Sequence, residues 1–338
     1  MATRAVPAPV AQIPNALTVA RLVVIPVFVA LVLTCDGGRS WPAAILFGAA
    51  AVTDQIDGWL ARVWHVESGF GKVADPLADR LLIDAAVEAA AEAGIEIVLL
   101  LSAYGRGGLE RFRQESPAEY LEQLEAVRTT GVRVGLAPHS VRACPREWLE
   151  ELGRYASSDG LPLHVHADEQ PREVEECLAE HGLRPIELLA ETGCLGPHTT
   201  VVHATHADAR ELDLLAESGA RVCVCPTTEA NLGDGFAPTE EICERGIGIC
   251  IGSDSNVRID PLEELRELEG TARRRAGRRN VLSVSTLLCC GADEGAAALG
   301  LERWPDVEVD LEHPSLADVE PGDVHAALVF GCGADVFA

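Results

Sequence analysis

The stretch Pro162-Leu-His-Val-His-Ala-Asp-Glu-Gln170 decides the fold. An apolar, β-prone run ends there in two histidines at alternate positions, with an acidic cluster behind them. Alternate residues of a strand share a face, so His164 and His166 point the same way. Glu169, three residues past His166, falls in the turn that leaves the strand and can hang over the same mouth. A neutral imidazole can hold Zn²⁺ while a nearby carboxylate shuttles protons for a bound water. Alone, an HxH in an apolar strand is more often a satisfied pair than a ligand set, so the pattern needs support from elsewhere in the chain.

Two later runs supply that support. Thr199-Thr-Val-Val-His-Ala-Thr-His-Ala-Asp208 places His203 at the end of an apolar run, and Gly246-Ile-Gly-Ile-Cys-Ile-Gly-Ser-Asp-Ser-Asn256 does the same for Asp254. Apolar β-type runs at 95–101, 132–138, 162–166, 199–203, 221–226 and 247–252 alternate with amphipathic helical segments. That alternation means a parallel sheet. Polar ligand types released at the C-terminal ends of successive strands are how a (β/α)₈ barrel presents a site. Six strands instead of eight predict an α/β fold with an incomplete barrel and two open edges.

These residues resemble the amidohydrolase superfamily, and within it the formimidoylglutamate deiminases. The likeness rests on HxxE (His166 to Glu169), the VHATHAD histidine (His203), the GSDSN aspartate (Asp254) and the phrases APHSVRACP and CPTTEANLGDG. It runs from about Asp84 to the C-terminus. It implies zinc-dependent hydrolysis of N-formimino-L-glutamate to N-formyl-L-glutamate and ammonia. By that resemblance His166 and Asp254 are metal ligands, Glu169 is the proton shuttle, and His203 orients water and substrate. Asp254 can also accept the water's proton. His139 and Arg142 hold the substrate's carboxylates, a task that suits a guanidinium fork. The family takes two further zinc ligands from an HxH on its first strand. The spacing of His166, His203 and Asp254 fits the fifth, sixth and eighth strands, so His164 and His166 are not that pair. The expectation is an under-ligated zinc, with His164 supporting its strand.

Upstream the chain reads differently. Residues 15–34 (NALTVARLVVIPVFVALVLT) are about as long as a bilayer core is thick, and 41–53 (WPAAILFGAAAVT) are apolar again, which predicts a membrane-type helical hairpin. Then come Asp54-Gln-Ile-Asp-Gly-Trp-Leu-Ala-Arg62 and Gly71-Lys-Val-Ala-Asp-Pro-Leu-Ala-Asp79. Asp54 and Asp57 nearly share one helical face, as do Asp75 and Asp79. Four carboxylates at two helix ends can hold a pair of divalent cations, which clamp a pyrophosphate. The segment resembles the CDP-alcohol phosphatidyltransferase family, in its phosphatidylglycerophosphate synthase flavour. The resemblance implies Mg²⁺ or Mn²⁺ on Asp54, Asp57, Asp75 and Asp79, with Asp79 also the base. Gly58, Ala61, Arg62 and Gly71 would cradle the CDP group, and CDP-diacylglycerol and the membrane would be partners. The family needs about six spanning helices, and no further apolar run of that length follows Asp84. The expected organisation is a transferase-like fragment at 1–84, a barrel portion at 85–305 and an accessory β segment at 306–338.

Three functions follow: a deiminase impaired by the missing first-strand ligands, a phosphatidyltransferase, or an inactive chimera of two truncated enzymes. Composition narrows the partners. A net charge of −26 argues against nucleic acid, and nearly all of it lies beyond Asp84, because up to there six Lys/Arg face seven Asp/Glu. Lys72 is the only lysine. Eleven cysteines, mostly inside apolar runs, suggest reduced thiols in a cytoplasm. The CxC at Cys223 and Cys225 reads as two small hydrophobes on one strand face. The barrel part is expected in the cytoplasm, with a small-molecule substrate and membrane association through 15–53. A homodimer is a further expected assembly.

Overall fold

A computed structural model describes Val27, Leu31 and residues 87–92, 94–108, 110–255, 258–303 and 307–337. The aspartate motif, with Asp54, Asp57, Gly58, Ala61, Arg62, Gly71, Asp75 and Asp79, lies outside these residues. So does the expected hairpin, apart from the helical positions Val27 and Leu31. Among the described residues no helix is long and apolar enough to cross a membrane. The chain divides into two units, Met1–Ile97 and Val98–Ala338.

The second unit is built on six parallel strands in sequential order: β1 (Val98–Ala103), β2 (Arg133–Pro138), β3 (Leu163–Ala167), β4 (Thr199–His203), β5 (Arg221–Val224) and β6 (Ile249–Ile251). Helices return the chain between them: α1 (Pro117–Arg128), α2 (Arg146–Asp159), α3 (Pro171–His181), α4 (Pro185–Glu191), α5 (Ala209–Ser218), α6 (Pro226–Leu232) and α7 (Thr239–Glu244). After β6 come α8 (Pro261–Ala276), α9 (Val284–Gly291), α10 (Asp293–Ala298) and α11 (Val324–Gly331). Sequential order with a helix in each crossover is the winding of a (β/α) barrel.

Local chemistry sets the boundaries. Ser116 caps α1 by accepting the Glu119 N–H at 3.2 Å, and Pro117 fills the first helical position. Asp208 and Glu211 form a reciprocal capping box at the start of α5. Gly160, Gly182 and Gly219 close α2, α3 and α5 in left-handed geometry, which a Cβ would oppose. β5 stops at Val224, short of the expected 226, because Cys225 is the N-cap and Pro226 the first residue of α6. β1 begins at Val98, three residues later than expected, because Ile95 N–H still bonds the Ala90 carbonyl behind Gly94. It runs on to Ala103 because Ser102 and Ala103 pair with Ala137 and Pro138.

The main core lies between the sheet and its helices. Val165 on β3, Val201 on β4 and Val222 on β5 meet Leu149 and Leu152 of α2, Ile186 and Leu189 of α4, and Leu215 of α5. Each such side chain contributes about 1.5–3 kcal/mol by leaving water. The opposite sheet face carries His164 and His166, which are half-buried while Leu163, Val165 and Ala167 are buried.

The tail departs from the expected accessory β segment. A single antiparallel bridge, Val309 to Phe337, is its β structure among the described residues. The rest is α11 with three short 3₁₀ turns. Leu316 and Val336 from two 3₁₀ turns, Leu328 of α11 and Cys332 just after it bury together against Leu262 of α8, a cluster that an isolated two-stranded ribbon would not gather.

Candidate metal centre

Register alone would separate the two histidines that the structure brings together. In the parallel pairing of β3 and β4, His166 stands beside Val202, and His203 beside Ala167. Strict alternation would send His203 to the helix side with Ala167. Instead His203 ends its strand at φ 76° and Ala204 follows at 51°. The turn swings the imidazole over the sheet's C-terminal edge, where its ring stacks on His166 with centroids 5.3 Å apart. Asp168 and Asp254 leave β3 and β6 at φ 55° and 47°. Non-glycine residues in this region cost about 1–3 kcal/mol each and tend to gather at functional sites.

His166, His203 and Asp254 each offer a ligand atom, all within 4.8 Å of one another. His166 Nε2 is 3.7 Å from Asp254 Oδ1, and His203 Nε2 is 3.9 Å from Asp254 Oδ2 and from Glu169 Oε1. The backbone N–H of His166 and its Nδ1, at 3.0 and 2.7 Å, both bond the His139 carbonyl. In the neutral ring that puts the proton on Nδ1 and leaves the Nε2 lone pair facing the centre. His203 Nε2 is buried and has no hydrogen-bond partner. A buried imidazole nitrogen left orphaned beside a second imidazole and a carboxylate fits a divalent cation.

The charges reinforce one another. The His166 contact holds the Asp254 carboxyl below its ordinary value, against the opposing effect of burial. Burial is the largest single influence on His166 and pulls it down, but Asp254, the His139 carbonyl and Glu169 together leave it raised. Burial, helped by His166 and Arg142, lowers His139 to about 4, so this ring is neutral at pH 7. His139 lies between the rings of Tyr104 and His166, with centroids 4.7 and 4.8 Å away.

Each sequence-derived site residue within the described region has a place at this mouth or beside it. Arg142 Nη2 donates to Glu169 Oε2 at 3.1 Å, and its Nε is 3.9 Å from the buried Glu173. His164 lies off the centre, its Nε2 2.8 Å from the Ala298 carbonyl. The reading from sequence counted two ligands, His166 and Asp254; the structure sets His203 beside them as a third donor. Glu229 escaped that reading. Its Oε1 lies 3.3 Å from His203 Nδ1, and it is 2% exposed. An acidic residue in the first helical turn after a strand end was the available signal. Asp168 and Glu211, both buried, form an ion network with Arg184 behind the centre. The described cysteines are all free thiols, and Cys223, Cys225 and Cys250 pack with Val202 and Ala298 as small apolar groups.

Comparison with known proteins places this geometry. A model of the amidohydrolase family matches residues 63–304, and one of the CDP-alcohol phosphatidyltransferases matches residues 11–108. Formimidoylglutamate deiminase of Pseudomonas aeruginosa is 40% identical over 223 residues, which is 62% of this chain and 48% of that protein. A 5-methylthioadenosine/S-adenosylhomocysteine deaminase of Halobacterium salinarum is 33% identical over 210 residues, 59% of this chain and 48% of the relative. The chain thus spans about half the length of these relatives. Among solved structures, an amidohydrolase from Brucella melitensis is 31% identical with a TM-score of 0.68, covering 76% of this chain and 62% of that one. An adenosine deaminase from Xanthomonas campestris with bound zinc, 22% identical, shares the fold at a TM-score of 0.68 over 75% of this chain and 61% of its own. Since the matched span takes in all six strands and the whole His166–His203–Asp254 group, the chain belongs to the amidohydrolase family.

Proposed function

We propose that the chain is a zinc-dependent deiminase of N-formimino-L-glutamate, releasing ammonia and N-formyl-L-glutamate, in the cytoplasm. The convergence of His166, His203 and Asp254 within 4.8 Å at three strand ends carries this reading. Two imidazoles and one carboxylate are the three-ligand set of catalytic zinc sites, which keep one position open for water or substrate. His166, His203 and Asp254 would hold the ion, which when bound supplies Lewis acidity and lowers the pKa of water toward neutrality. Glu169, 3.9 Å from His203 Nε2, would take a proton from the attacking water and return it to the departing nitrogen. Asp254, held ionised by His166, is a second acceptor on the same side.

The choice of substrate within the family rests on Arg142 and His139, together with the 40% identity to the Pseudomonas deiminase. Arg142 is partly exposed, and its bond to Glu169 can be exchanged for a substrate carboxylate. A neutral His139 can donate a hydrogen bond to the same anion without adding charge. An adenosine-type substrate would have no use for that guanidinium.

The test is ammonia release by the zinc-loaded full chain from N-formimino-L-glutamate and, in parallel, from 5′-methylthioadenosine. Turnover of the first, lost in Glu169→Gln with zinc retained, is the expected result. Turnover of the nucleoside alone, or of neither, would sink the assignment.

For the first 84 residues the phosphatidyltransferase match favours a separate reading. In it Asp54, Asp57, Asp75 and Asp79 collect Mg²⁺ or Mn²⁺ weakly, and CDP-diacylglycerol is the ligand class. Transfer from CDP-diacylglycerol that needs the metal and disappears in Asp79→Asn would establish it; perturbation by Mg²⁺ with no CMP release is the outcome expected of a fragment.

A further inference from the structure

Glu229 reaches the centre from α6, outside the strand ends that supply the ligand group. Its Oε1 accepts the Cys225 backbone N–H at 3.0 Å and lies 3.3 Å from His203 Nδ1. A carboxylate can only accept, so the proton of the second contact sits on Nδ1. A neutral imidazole has one such proton, and Nε2 therefore carries the lone pair. Nε2 is the buried atom left without a partner, and it faces Asp254 and Glu169. The preceding residue works on the other side of the centre. Thr228 Oγ1 donates to the Ser253 carbonyl at 2.7 Å, gripping the residue just before Asp254. One turn of α6 thus touches two of the three ligand-bearing segments.

We propose that the Thr228–Glu229 turn is a positioning element for the metal centre. Glu229 holds His203 as the Nδ1–H tautomer that presents Nε2 to a divalent cation, while Thr228 sets the Asp254 loop. The carboxylate also makes the ring a stronger donor than the neutral His139 carbonyl makes His166. The inference rests on the metal centre proposed above and is independent of which substrate the centre serves.

The experiment uses the full chain and two readouts. Zinc affinity is measured by competition with a chromophoric chelator. The His203 tautomer is read without metal, from ¹⁵N shifts of histidine-labelled protein, with His203→Gln identifying the resonance. Wild type should show the Nδ1–H form. Glu229→Gln and Glu229→Ala should show mixed tautomers and zinc binding weaker by roughly 10–100-fold. In a His203→Gln background, Glu229→Gln should cause no further loss, because it acts through that ring. Should Glu229→Ala fail to fold, the near-isosteric Gln variant carries the measurement. Unchanged affinity and tautomer in a folded variant, an additive loss in the His203→Gln background, or a wild type that takes up no zinc would each overturn the proposal. A wild type that binds zinc as described but releases no ammonia from the formimino compound overturns the substrate assignment and leaves the positioning role standing.

Discussion

Arg184→Met should be among the most damaging single changes in the barrel portion, although Arg184 touches none of the candidate ligands. Its guanidinium reaches Asp168 at 3.2 Å, Glu211 at 2.6 Å, Asp208 at 3.3 Å and the His206 carbonyl at 2.6 Å. Asp168 and Glu211 are both fully buried. Deleting the cation leaves Glu211 out of water without its partner, and Asp168 too wherever it ionises, and breaking a buried pair in this way costs about 3–5 kcal/mol. The side chain of Arg184 keeps 21% exposure, so water can reach the gap and the lower figure, about 3 kcal/mol, is expected. In a unit of this size that lowers the melting temperature by roughly 6–12 °C.

The pH dependence has a definite sign. Burial, then the neighbouring Glu211, hold the Asp168 carboxyl above its ordinary value. For an acid so raised, the stabilising form is the protonated one, present below the unfolded value and lost as pH rises through the folded value. Without Arg184 the rise is larger. The wild-type value is about 9, so the variant should be hurt more at pH 10 than at pH 6, and Glu211→Gln added to Arg184→Met should restore part of the loss. Urea unfolding at both pH values, with m unchanged, measures this. A variant within about 1 kcal/mol of wild type at pH 7, less than half the loss of a broken buried pair, or a penalty identical at the two pH values, would refute the reasoning.

Three other outcomes are expected. Zinc at 100 times its dissociation constant should stabilise the folded chain by about 2.7 kcal/mol over chelated protein; melting with and without chelator checks this, and the difference should vanish in His166→Ala. Gly153→Ala should cost about 1–3 kcal/mol, because the new Cβ would lie 2.9 Å from Cys194 Sγ and 3.0 Å from the Gly193 carbonyl. A melting temperature at or above wild type would mean that α2 can shift away. Tyr120→Phe removes the hydroxyl that donates to the Leu101 carbonyl at 2.7 Å in the core, so thermal unfolding should show a loss of about 0.5–1.5 kcal/mol, and no loss would mean that water replaces the bond.

The six strands were legible because each is a short apolar run between a glycine-closed helix and a polar turn, and that pattern is local. Their ends were read less well wherever a cap competed with the ladder, as at Cys225-Pro226 and at Gly94-Ile95. The tail misled because PGD and GCG look like hairpin turns. The decision there belongs to Leu262, some fifty residues earlier in the chain, against which Leu316 and Leu328 bury.

The ligand set shows a different limit. That His166 and Asp254 lie at strand ends follows from periodicity, and so does the place of Glu169 above them. Whether His203 joins them depends on one backbone angle. In the β region at residue 203 the ring would point to the helix layer beside Leu212 and Leu215, which strict alternation predicts. The positive φ seen there turns it to the mouth. No side-chain pattern within β4 encodes that angle. What stabilises it lies elsewhere: the Ala204 N–H bonds the Ala167 carbonyl across the sheet at 3.1 Å, the His206 N–H bonds the Asp168 carbonyl at 2.9 Å, and Glu229 takes the ring from the next βα unit. A strained residue persists only where its neighbours over-determine it. The third donor of this centre is therefore a product of three segments far apart in sequence. A variant that loosens any of them should release His203 toward the helix side before it disturbs His166, whose orientation the His139 carbonyl fixes independently.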